Sequence, residues 1–397
     1  MASSEPLFPR FSHAEYQRRY ERVREEMRNR GLDVIVAAGD SAARNGNHAN
    51  VYWLTNWLDP FTSYAVLALS GDPFLIISNP LYGHTAKCAS VVPDIDSSPD
   101  PGALIGQRLN DLGLERGQIG LVGVRHVGRA SMPYEHQRDL QAAMPEATFV
   151  EANGVLQEAR LIKSPEEITW FERGAEFTDR TITAIAENLR PGIPEYALAG
   201  PVHQAFHSDG GTMKVLFLGS TPMDDPEIIF PWQYPSARII QRGDVLLTEI
   251  SASYWGYAGQ VHRPFAVGMP PTTEYQNLFE VASEAYFRVL ETLKPGNTDA
   301  DIRAAAASIE RAGYHTHDVL LHGWGLSIEP PRADLPSATI KRELNQFTVM
   351  PGMMLVNQPH VISPDGKRGL QVGSLVVIEE SGPRALQKVE MTFFQVG

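Results

Sequence analysis

Residues 246–268 carry apolar positions in the spacing that a pair of antiparallel strands requires. A turn is predicted at residues 253–256, where polar and glycine residues interrupt the apolar run. Centring the hairpin there places Glu249 roughly opposite Gln260, and His262 shares their face because it lies two residues further along its strand. The pattern predicts a hairpin that gathers a carboxylate, an amide and an imidazole, as an active site does. A polar network on a solvated sheet face is the alternative. The apolar positions are Leu246, Leu247, Ile250, Val261, Phe265 and Val267.

Strands and helices alternate in the first part of the chain. Ser12 is typical of a helix N-cap, and the helix that it opens is predicted to run to Gly31, with its charged positions, Arg19 among them, facing solvent. A further helix is predicted at residues 134–144. Alternating strands and helices are typical of an α/β domain. The predicted strands are residues 33–38, 51–54, 64–70, 74–78, 119–124 and 148–151.

Helices precede antiparallel strands in the second part, which predicts an α+β domain. Ser164, Pro165 and Glu167 form a capping box with proline in the first turn, so a helix begins there. We therefore place the domain boundary just before it and predict domains at residues 1–160 and 161–397. Further helices are predicted at residues 273–293 and 298–313. The predicted strands outside the hairpin are residues 215–218, 353–356, 371–378 and 390–394.

Composition narrows the class of protein. The chain has 397 residues, 43% hydrophobic and 20% charged, which is ordinary for a globular protein of two domains. Its net charge of −13 argues against a nucleic-acid partner. No apolar leader and no apolar run of about 18 residues is present, so we expect no membrane partner and a cytoplasmic location. The single cysteine, Cys88, excludes an internal disulfide and is expected to be buried packing.

Further polar residues follow the hairpin in short clusters. His322 lies between apolar residues and a glycine, Gln358 and His360 share a face after an apolar strand, and Trp232 precedes a turn. Each histidine taken singly is more often a hydrogen-bonded structural residue than a catalyst. His315 and His317 form a loop pair, and nothing in the sequence supports a role for it in gating a substrate.

Three of these stretches together resemble the creatinase/aminopeptidase P/prolidase family, whose catalytic domain has the "pita-bread" fold. They are GYAGQVHRPFAVG at 256–268, LHGWGLSIEPP at 321–331, and PGMMLVNQPHV at 351–361 followed by GLQVGSLVVI at 369–378. The resemblance spans essentially the whole chain. It implies an α/β N-terminal domain plus an α+β pita-bread catalytic domain. It also implies a homodimer in which residues 45–64 of one subunit edge the pocket of the other.

Peptidases of this family bind two divalent metal ions through two aspartates, one histidine and two glutamates. By the resemblance, the residues at these positions are Glu249, Gln260, His322, Gln358 and Gly373. An amide is a poor ligand for such ions, and glycine offers no side chain. A two-metal site is therefore not expected, and no cofactor is assigned. The ligands of a single-metal alternative would be His262, His322, His360 and Glu249.

Creatinase is the precedent within this family for hydrolysis without a metal, by a histidine and glutamates. In this chain Trp232 stands where creatinase has its catalytic histidine, and His262 and Gln358 stand where it has glutamates. The arginine with which the neighbouring subunit grips creatine falls near Thr62. Glu329 replaces the histidine that assists substrate in the family's peptidases. Creatine itself is therefore not expected to be the substrate.

The polar groups that remain suit acid–base catalysis on a small molecule. The predicted catalytic residues are His262, His322, Glu249, Glu329 and His360. The predicted substrate-binding residues are Trp232, Gln260, Gln358, Arg332 and Trp324. We expect His262 to act as a base oriented by Glu249, with His322 or His360 as the acid or oxyanion donor.

The sequence therefore predicts a metal-independent hydrolase that cleaves an amide or amidine C–N bond in a small polar molecule. A lyase, isomerase or decarboxylase on the same scaffold is the first alternative, because a metal-bound or activated water is what makes the family hydrolytic. A non-catalytic binding module is the second. A peptidase that acts on Xaa-Pro bonds with a single metal is the third.

Overall fold

The computed structural model describes residues 6–39, 49–124, 132–341 and 346–397. Backbone contacts divide the chain into two compact units, Met1–Arg160 and Leu161–Gly397. Within the described ranges, no helix is both long enough and apolar enough to cross a membrane. Residues 45–48 of the predicted partner-facing segment 45–64 lie outside these ranges.

The first unit is a mixed sheet with helices packed on it. In the described part of this unit the strand order is β4-β3-β2-β1-β5-β6, with β1 antiparallel to β2 and parallel to β5. The strands are β1 (Val34–Gly39), β2 (Ser63–Ala68), β3 (Phe74–Ile77), β4 (Ile95–Ser97), β5 (Gln118–Val122) and β6 (Thr148–Glu151). The helices are α1 (His13–Asn29), α2 (Ala49–Thr55), α3 (Gly83–Ala89), α4 (Pro101–Asp111), α5 (Tyr134–Ala143) and α6 (Asn153–Leu161).

Two predictions about helices α1 and α2 of this unit were wrong. Residues 51–54 form part of helix α2, because a short buried apolar run has no period that separates helix from strand. Arg19 on α1 is buried, where its Nε donates to Glu15 Oε1 at 2.7 Å and its Nη1 donates to the Trp53 carbonyl at 2.7 Å. Part of the charged face of α1 therefore packs inside the unit.

Cys88 was also misplaced, since it is exposed on helix α3. Ala86 and Ala89 are the residues of this helix that are buried. The apolar-looking segment thus turns its alanines inward and its cysteine outward, which a lone thiol in an apolar run does not reveal.

The second unit contains the strands of the predicted hairpin. Its helices are α7 (Pro165–Asn188), α8 (Ala199–Gln204), α9 (Thr273–Thr292), α10 (Asp299–Ala306) and α11 (Ser308–Arg311). Its strands are β7 (Gly211–Pro222), β8 (Asp244–Tyr254), β9 (Tyr257–Ala258), β10 (Val261–His262), β11 (Phe265–Val267), β12 (His315–Thr316), β13 (Leu321–Trp324), β14 (Ile328–Ala333), β15 (Met354–Asn357), β16 (His360–Ile362), β17 (Gly369–Gln371), β18 (Gly373–Glu379), β19 (Gly382–Ala385) and β20 (Phe394–Val396).

A large sheet forms the frame of this unit. Over the described residues its main path is β14-β13-β15-β18-β10-β8-β11-β20, while β12, β16 and β17 form a separate small sheet. Strand β8 has both faces buried. Leu246 and Ile250 pack in the hydrophobic cluster that contains α7, whereas Leu247 packs in the cluster that contains α9. Alternation along the strand therefore puts Glu249 on the face of Leu247.

The hairpin turn differs by one residue from the prediction. Trp255 (φ +46°) and Gly256 (φ +84°) both have positive φ, as the two central residues of a tight hairpin turn do. Ile250 therefore pairs with Val261, and the same register places Glu249 beside His262 rather than opposite Gln260. Because the partner moves by two residues, Glu249, Gln260 and His262 still share one face.

Candidate active site

Glu249, Gln260 and Gln358 form the centre of a buried polar network. The Gln260 Nε2 group donates to Glu249 Oε1 at 3.0 Å and to Gln358 Oε1 at 3.3 Å. Burial raises the pKa of Glu249 to about 8, and the charge of Asp318 acts in the same direction. At neutral pH Glu249 is therefore mainly a protonated carboxyl group, which can give up a proton.

Asp318 extends this network toward solvent. Its Oδ2 accepts from Gln358 Nε2 at 2.8 Å and, more weakly, from Gln371 Nε2 at 3.5 Å. The residue is half-buried. Sequence reasoning considered its neighbour His317 and missed Asp318, because one carboxylate just before a strand carries no periodic signal.

His322 joins the network from strand β13. Its Nε2 lies 3.2 Å from Gln358 Oε1, and its Nδ1 lies 2.9 Å from the Gly323 carbonyl oxygen. Burial lowers the pKa of His322, while the Gly323 carbonyl, Asp318 and Gln358 act in the opposite direction. Both ring nitrogens thus face oxygen atoms, and the neutral ring, which carries one N–H group, donates to one of them.

His262 is fully buried beside the network, and its register partner is Gly373. A Cβ atom on residue 373 would lie 2.7 Å from His262 Nδ1, so the imidazole occupies space that any larger residue there would need. Burial lowers the pKa of His262 well below its usual value, with the charges of His322 and Arg263 adding to the effect. The ring is therefore neutral and keeps one lone pair that can accept a proton.

The predicted hydrogen bond between His262 and Glu249 is not formed. Neither ring nitrogen of His262 has a hydrogen-bond partner among the described residues, and Glu249 Oε1 accepts from Gln260 instead. The side chain of Gln260 reaches diagonally across the hairpin and takes the carboxyl oxygen that the prediction gave to the imidazole.

His360 lies on strand β16 in a group of rings. Its Nε2 is 2.8 Å from the Ile229 carbonyl oxygen and donates to it, and its ring centroid lies 5.4 Å from that of Phe230 and 5.6 Å from that of His317. Burial lowers the pKa of His360 to about 4.

Trp232 is 44% exposed and packs on Gly219 of strand β7.

The remaining predicted residues make other contacts. Glu329 is buried and forms an ion pair with Lys163, whose Nζ is 3.2 Å from Glu329 Oε2. The Trp324 indole donates to the Ala258 carbonyl at 2.7 Å and so braces the hairpin. Arg332 is half-buried on β14, paired in register with His322 on β13. Glu329 and Trp324 therefore have structural partners that the sequence did not predict.

The residues at the family's metal positions do not fit two metal ions. The N–H groups of Gln260 point at the oxygens of Glu249 and Gln358, where a shared cation would have to lie. The space next to Gly373 is filled by the His262 ring. In the part of the chain that the structure describes, no group of three or more His, Cys, Asp and Glu side chains is arranged to hold a metal. One carboxyl group among amides is a poor donor set for divalent cations.

Known proteins are similar to the chain along nearly its whole length. The model of metallopeptidase family M24 matches residues 170–380, and that of the creatinase/prolidase N-terminal domain matches residues 19–162. The chain is 24% identical to creatinase of Bacillus sp. (strain B-0618) over 405 aligned residues, which cover 97% of this chain and 93% of that protein. It is 26% identical to ectoine hydrolase of Halomonas elongata over 401 aligned residues, covering 95% and 96%.

Solved structures show the same fold. The Xaa-Pro dipeptidase from Bacillus anthracis superposes with a TM-score of 0.78 at 20% identity, over 96% of this chain and 100% of that chain. This likeness confirms the predicted architecture, an α/β N-terminal domain followed by an α+β pita-bread domain.

Proposed function

Since the chain belongs to metallopeptidase family M24, we propose that it is a hydrolase that cleaves an amide or amidine C–N bond without a bound metal ion. Family membership confirms the resemblance stated from the sequence motifs. Relatives named creatinase, ectoine hydrolase and Xaa-Pro dipeptidase support the hydrolytic class. The substrate class and the independence from metal are our proposals.

One observation carries the proposal. The His262 imidazole fills the space beside Gly373 with both nitrogens unpartnered among the described residues, and the hairpin register places it next to Glu249. Burial lowers the pKa of His262 and raises that of Glu249 to about 8. Neighbouring groups whose pKa values move apart in this way are typical of a base and an acid.

The chemistry follows from these protonation states. Neutral His262 removes a proton from a water molecule, whose oxygen then bonds to the carbon of the scissile C–N bond. Protonated Glu249 gives its proton to the departing nitrogen as that bond breaks. The Gln260 Oε1 atom, which has no partner among the described residues, accepts a hydrogen bond from the substrate, while His322 holds the Gln358 amide in place. The proton on His262 returns to Glu249 through solvent, which restores the starting state.

A substrate screen with chelated protein tests this proposal. After dialysis against EDTA and a check of metal content, the enzyme is offered cyclic amidines, guanidino acids, N-acyl amino acids and Xaa-Pro dipeptides. We expect turnover of an amide or amidine, reduced by about 10²- to 10⁴-fold in His262→Ala and in Glu249→Gln. His203→Ala, a change of an exposed histidine on α8, serves as the matched control. Turnover that appears only when Mn²⁺ or Co²⁺ is added contradicts the proposal.

We further propose that the enzyme is a cytoplasmic homodimer whose ligand is a small molecule. An exposed apolar patch on the first unit supports a second copy as the partner. Phe61 is 43% exposed, Leu81 is 78% exposed, and the ring of Tyr82 lies 5.6 Å from that of Phe61. Phe61 belongs to the segment that the resemblance assigns to the subunit interface.

A further inference from the structure

We propose that Asp318 is a positioning residue. Through the amide of Gln358, it determines which groups of the site donate hydrogen bonds and which accept them. The inference rests on the proposed function in that it concerns the same site. Asp318 contacts Gln358 directly, and Gln358 contacts both His322 and Gln260. Asp318 can therefore act on the catalytic network without touching the reacting atoms.

The end of the Gln358 amide that faces Asp318 has to be its donor end. Its Nε2 lies 2.8 Å from Asp318 Oδ2 and 3.3 Å from the Val319 carbonyl oxygen. A backbone carbonyl can only accept, and a carboxylate accepts a charge-assisted bond of about twice the ordinary strength. Placing the amide oxygen there would set three acceptors against one another.

The other end of the same amide is therefore its acceptor end. Gln358 Oε1 lies 3.2 Å from His322 Nε2 and 3.3 Å from Gln260 Nε2. Because an amide oxygen cannot donate, this contact is a hydrogen bond only when His322 carries its hydrogen on Nε2. The Gly323 carbonyl oxygen, 2.9 Å from Nδ1, competes for the single hydrogen of the neutral ring. Gln260 likewise has to present its NH₂ group, which leaves its own Oε1 as a buried acceptor without a partner among the described residues.

A second arrangement of the same atoms is opposed by Asp318 and, at a longer distance, by the Val319 carbonyl oxygen, and of these two only residue 318 acts through its side chain. An asparagine there could donate to the Gln358 oxygen, so that the amide turns over and its NH₂ group faces His322. His322 would then need a bare Nε2, with its hydrogen on Nδ1 bonded to the Gly323 carbonyl, which already lies 2.9 Å away. Asp318 therefore favours the Nε2–H tautomer of His322 through the Gln358 amide, whereas the Gly323 carbonyl favours the Nδ1–H tautomer.

Nitrogen NMR of the ligand-free, EDTA-treated protein tests this inference. Imidazole ¹⁵N shifts report which ring nitrogen carries hydrogen, and the chain has 12 histidines to label. His322 is assigned by loss of its signals in His322→Asn. We expect Nε2 to be protonated in the wild type and bare in Asp318→Asn. An unchanged Nε2–H in Asp318→Asn overturns the proposal.

Two controls separate the amide route from a plain change of charge. In Asp318→Asn/Gln358→Glu the carboxylate at 358 only accepts, so Nε2–H should return. If that double variant also has a bare Nε2, Asp318 acts directly and the amide route is wrong. Asp365→Asn removes a carboxylate that accepts from the Lys367 backbone and should change nothing. His360, whose Nε2 donates to the Ile229 carbonyl in the same unit, reports whether the substituted unit remains folded.

This test is independent of catalysis, because it uses no substrate. If the substrate screen finds no hydrolysis while Asp318→Asn still switches the tautomer, the proposed function fails and the role of Asp318 stands. If hydrolysis is found and the tautomer does not change, the role of Asp318 fails alone.

Discussion

His262 on strand β10 and Gly373 on strand β18 face each other. The glycine leaves the space that the imidazole fills. A methyl group at 373 would meet His262 Nδ1 at 2.7 Å and the backbone oxygen of Asn357 at 2.7 Å. The ring could move to relieve the first contact, whereas the backbone oxygen has little freedom. The glycine is thus a packing requirement of the imidazole that the proposed mechanism uses as its base.

Gly373→Ala should therefore destabilise the protein by about 1–3 kcal/mol, as overpacking of a close-packed interior does. Chemical denaturation measures the change in the free energy of unfolding. In a His262→Ala background the same substitution should cost less, because one of its two clashes is removed, and the difference gives the coupling between the residues. Equal costs in both backgrounds would mean that the ring does not fill this space.

The raised pKa of Glu249 predicts a pH dependence of stability. Its pKa is about 8 in the folded protein, whereas the ordinary value for a glutamate is 4.5. The folded state therefore binds the proton more tightly than the unfolded state does. The stabilisation is complete below pH 4.5 and is lost as the pH rises toward 8. The slope for one such group is about −1.4 kcal/mol per pH unit.

Glu249→Gln should remove this contribution, since an amide does not titrate. Unfolding measured from pH 5 to 9 should show a wild-type stability that falls more steeply with pH than that of the variant. Parallel curves for the two proteins would place the folded pKa of Glu249 near its ordinary value.

The sequence predicted the strand faces of the hairpin better than the contacts of its side chains. Glu249, Gln260 and His262 were correctly placed on one face, because alternation in a strand survives a one-residue error in the turn. The bond from Gln260 to Glu249 and the bond from Gln358 to Asp318 could not be predicted. Both depend on side-chain directions and on loops that bring distant segments together, and neither leaves a periodic pattern.

Helix α7 is held against the hairpin at a contact with no room for side chains. A Cβ atom on Gly174 would lie 2.3 Å from the Tyr257 backbone oxygen, and one on Gly259 would lie 2.6 Å from Ala175 Cα. The first turn of the same helix adds a side-chain link, because the Tyr257 hydroxyl donates to Glu167 Oε1 at 3.3 Å. These contacts fix the distance between helix α7 and the strand pair that carries the site.

Gly174→Ala should separate α7 from the hairpin, at a cost of about 2 kcal/mol or more, because the clash is with backbone. Thermal unfolding should show the loss, and catalysis should fall with it since Gln260 lies next to the displaced segment. Gly200→Ala is the matched control: that glycine lies in helix α8, and a Cβ there meets nothing within 4 Å. Equal stabilities of the two variants would rule out the close contact.

Elements with strong end signals were the ones that the sequence predicted well. The capping boxes at Ser164 and Thr298 open helices where expected. Residues 51–54 were assigned to a strand and form a helix, and the strand predicted at 390–394 lies at Phe394–Val396. In both cases a short apolar run gave no period long enough to fix type or position.

At the scale of the whole molecule, the exposed patch of Phe61, Leu81 and Tyr82 gives the last prediction. Large apolar side chains that adjoin one another on a surface mark interaction sites more often than scattered ones do. The proposed occupant is a second copy of the chain, since the resemblance places the segment containing Phe61 at the pocket of the partner. Dimer formation would bury the patch and complete the substrate site.

Phe61→Ser/Leu81→Ser should therefore convert the dimer to a monomer in sedimentation velocity at micromolar concentration, because removing two apolar anchors weakens an interface by several kcal/mol. Leu112→Ser, at a site 57% exposed at the end of helix α4, is the control and should remain dimeric. If the patch also carries part of the substrate site, the double variant should lose turnover even at concentrations where some dimer persists. A wild-type chain that sediments as a monomer contradicts the proposal, and a dimeric double variant places the interface elsewhere.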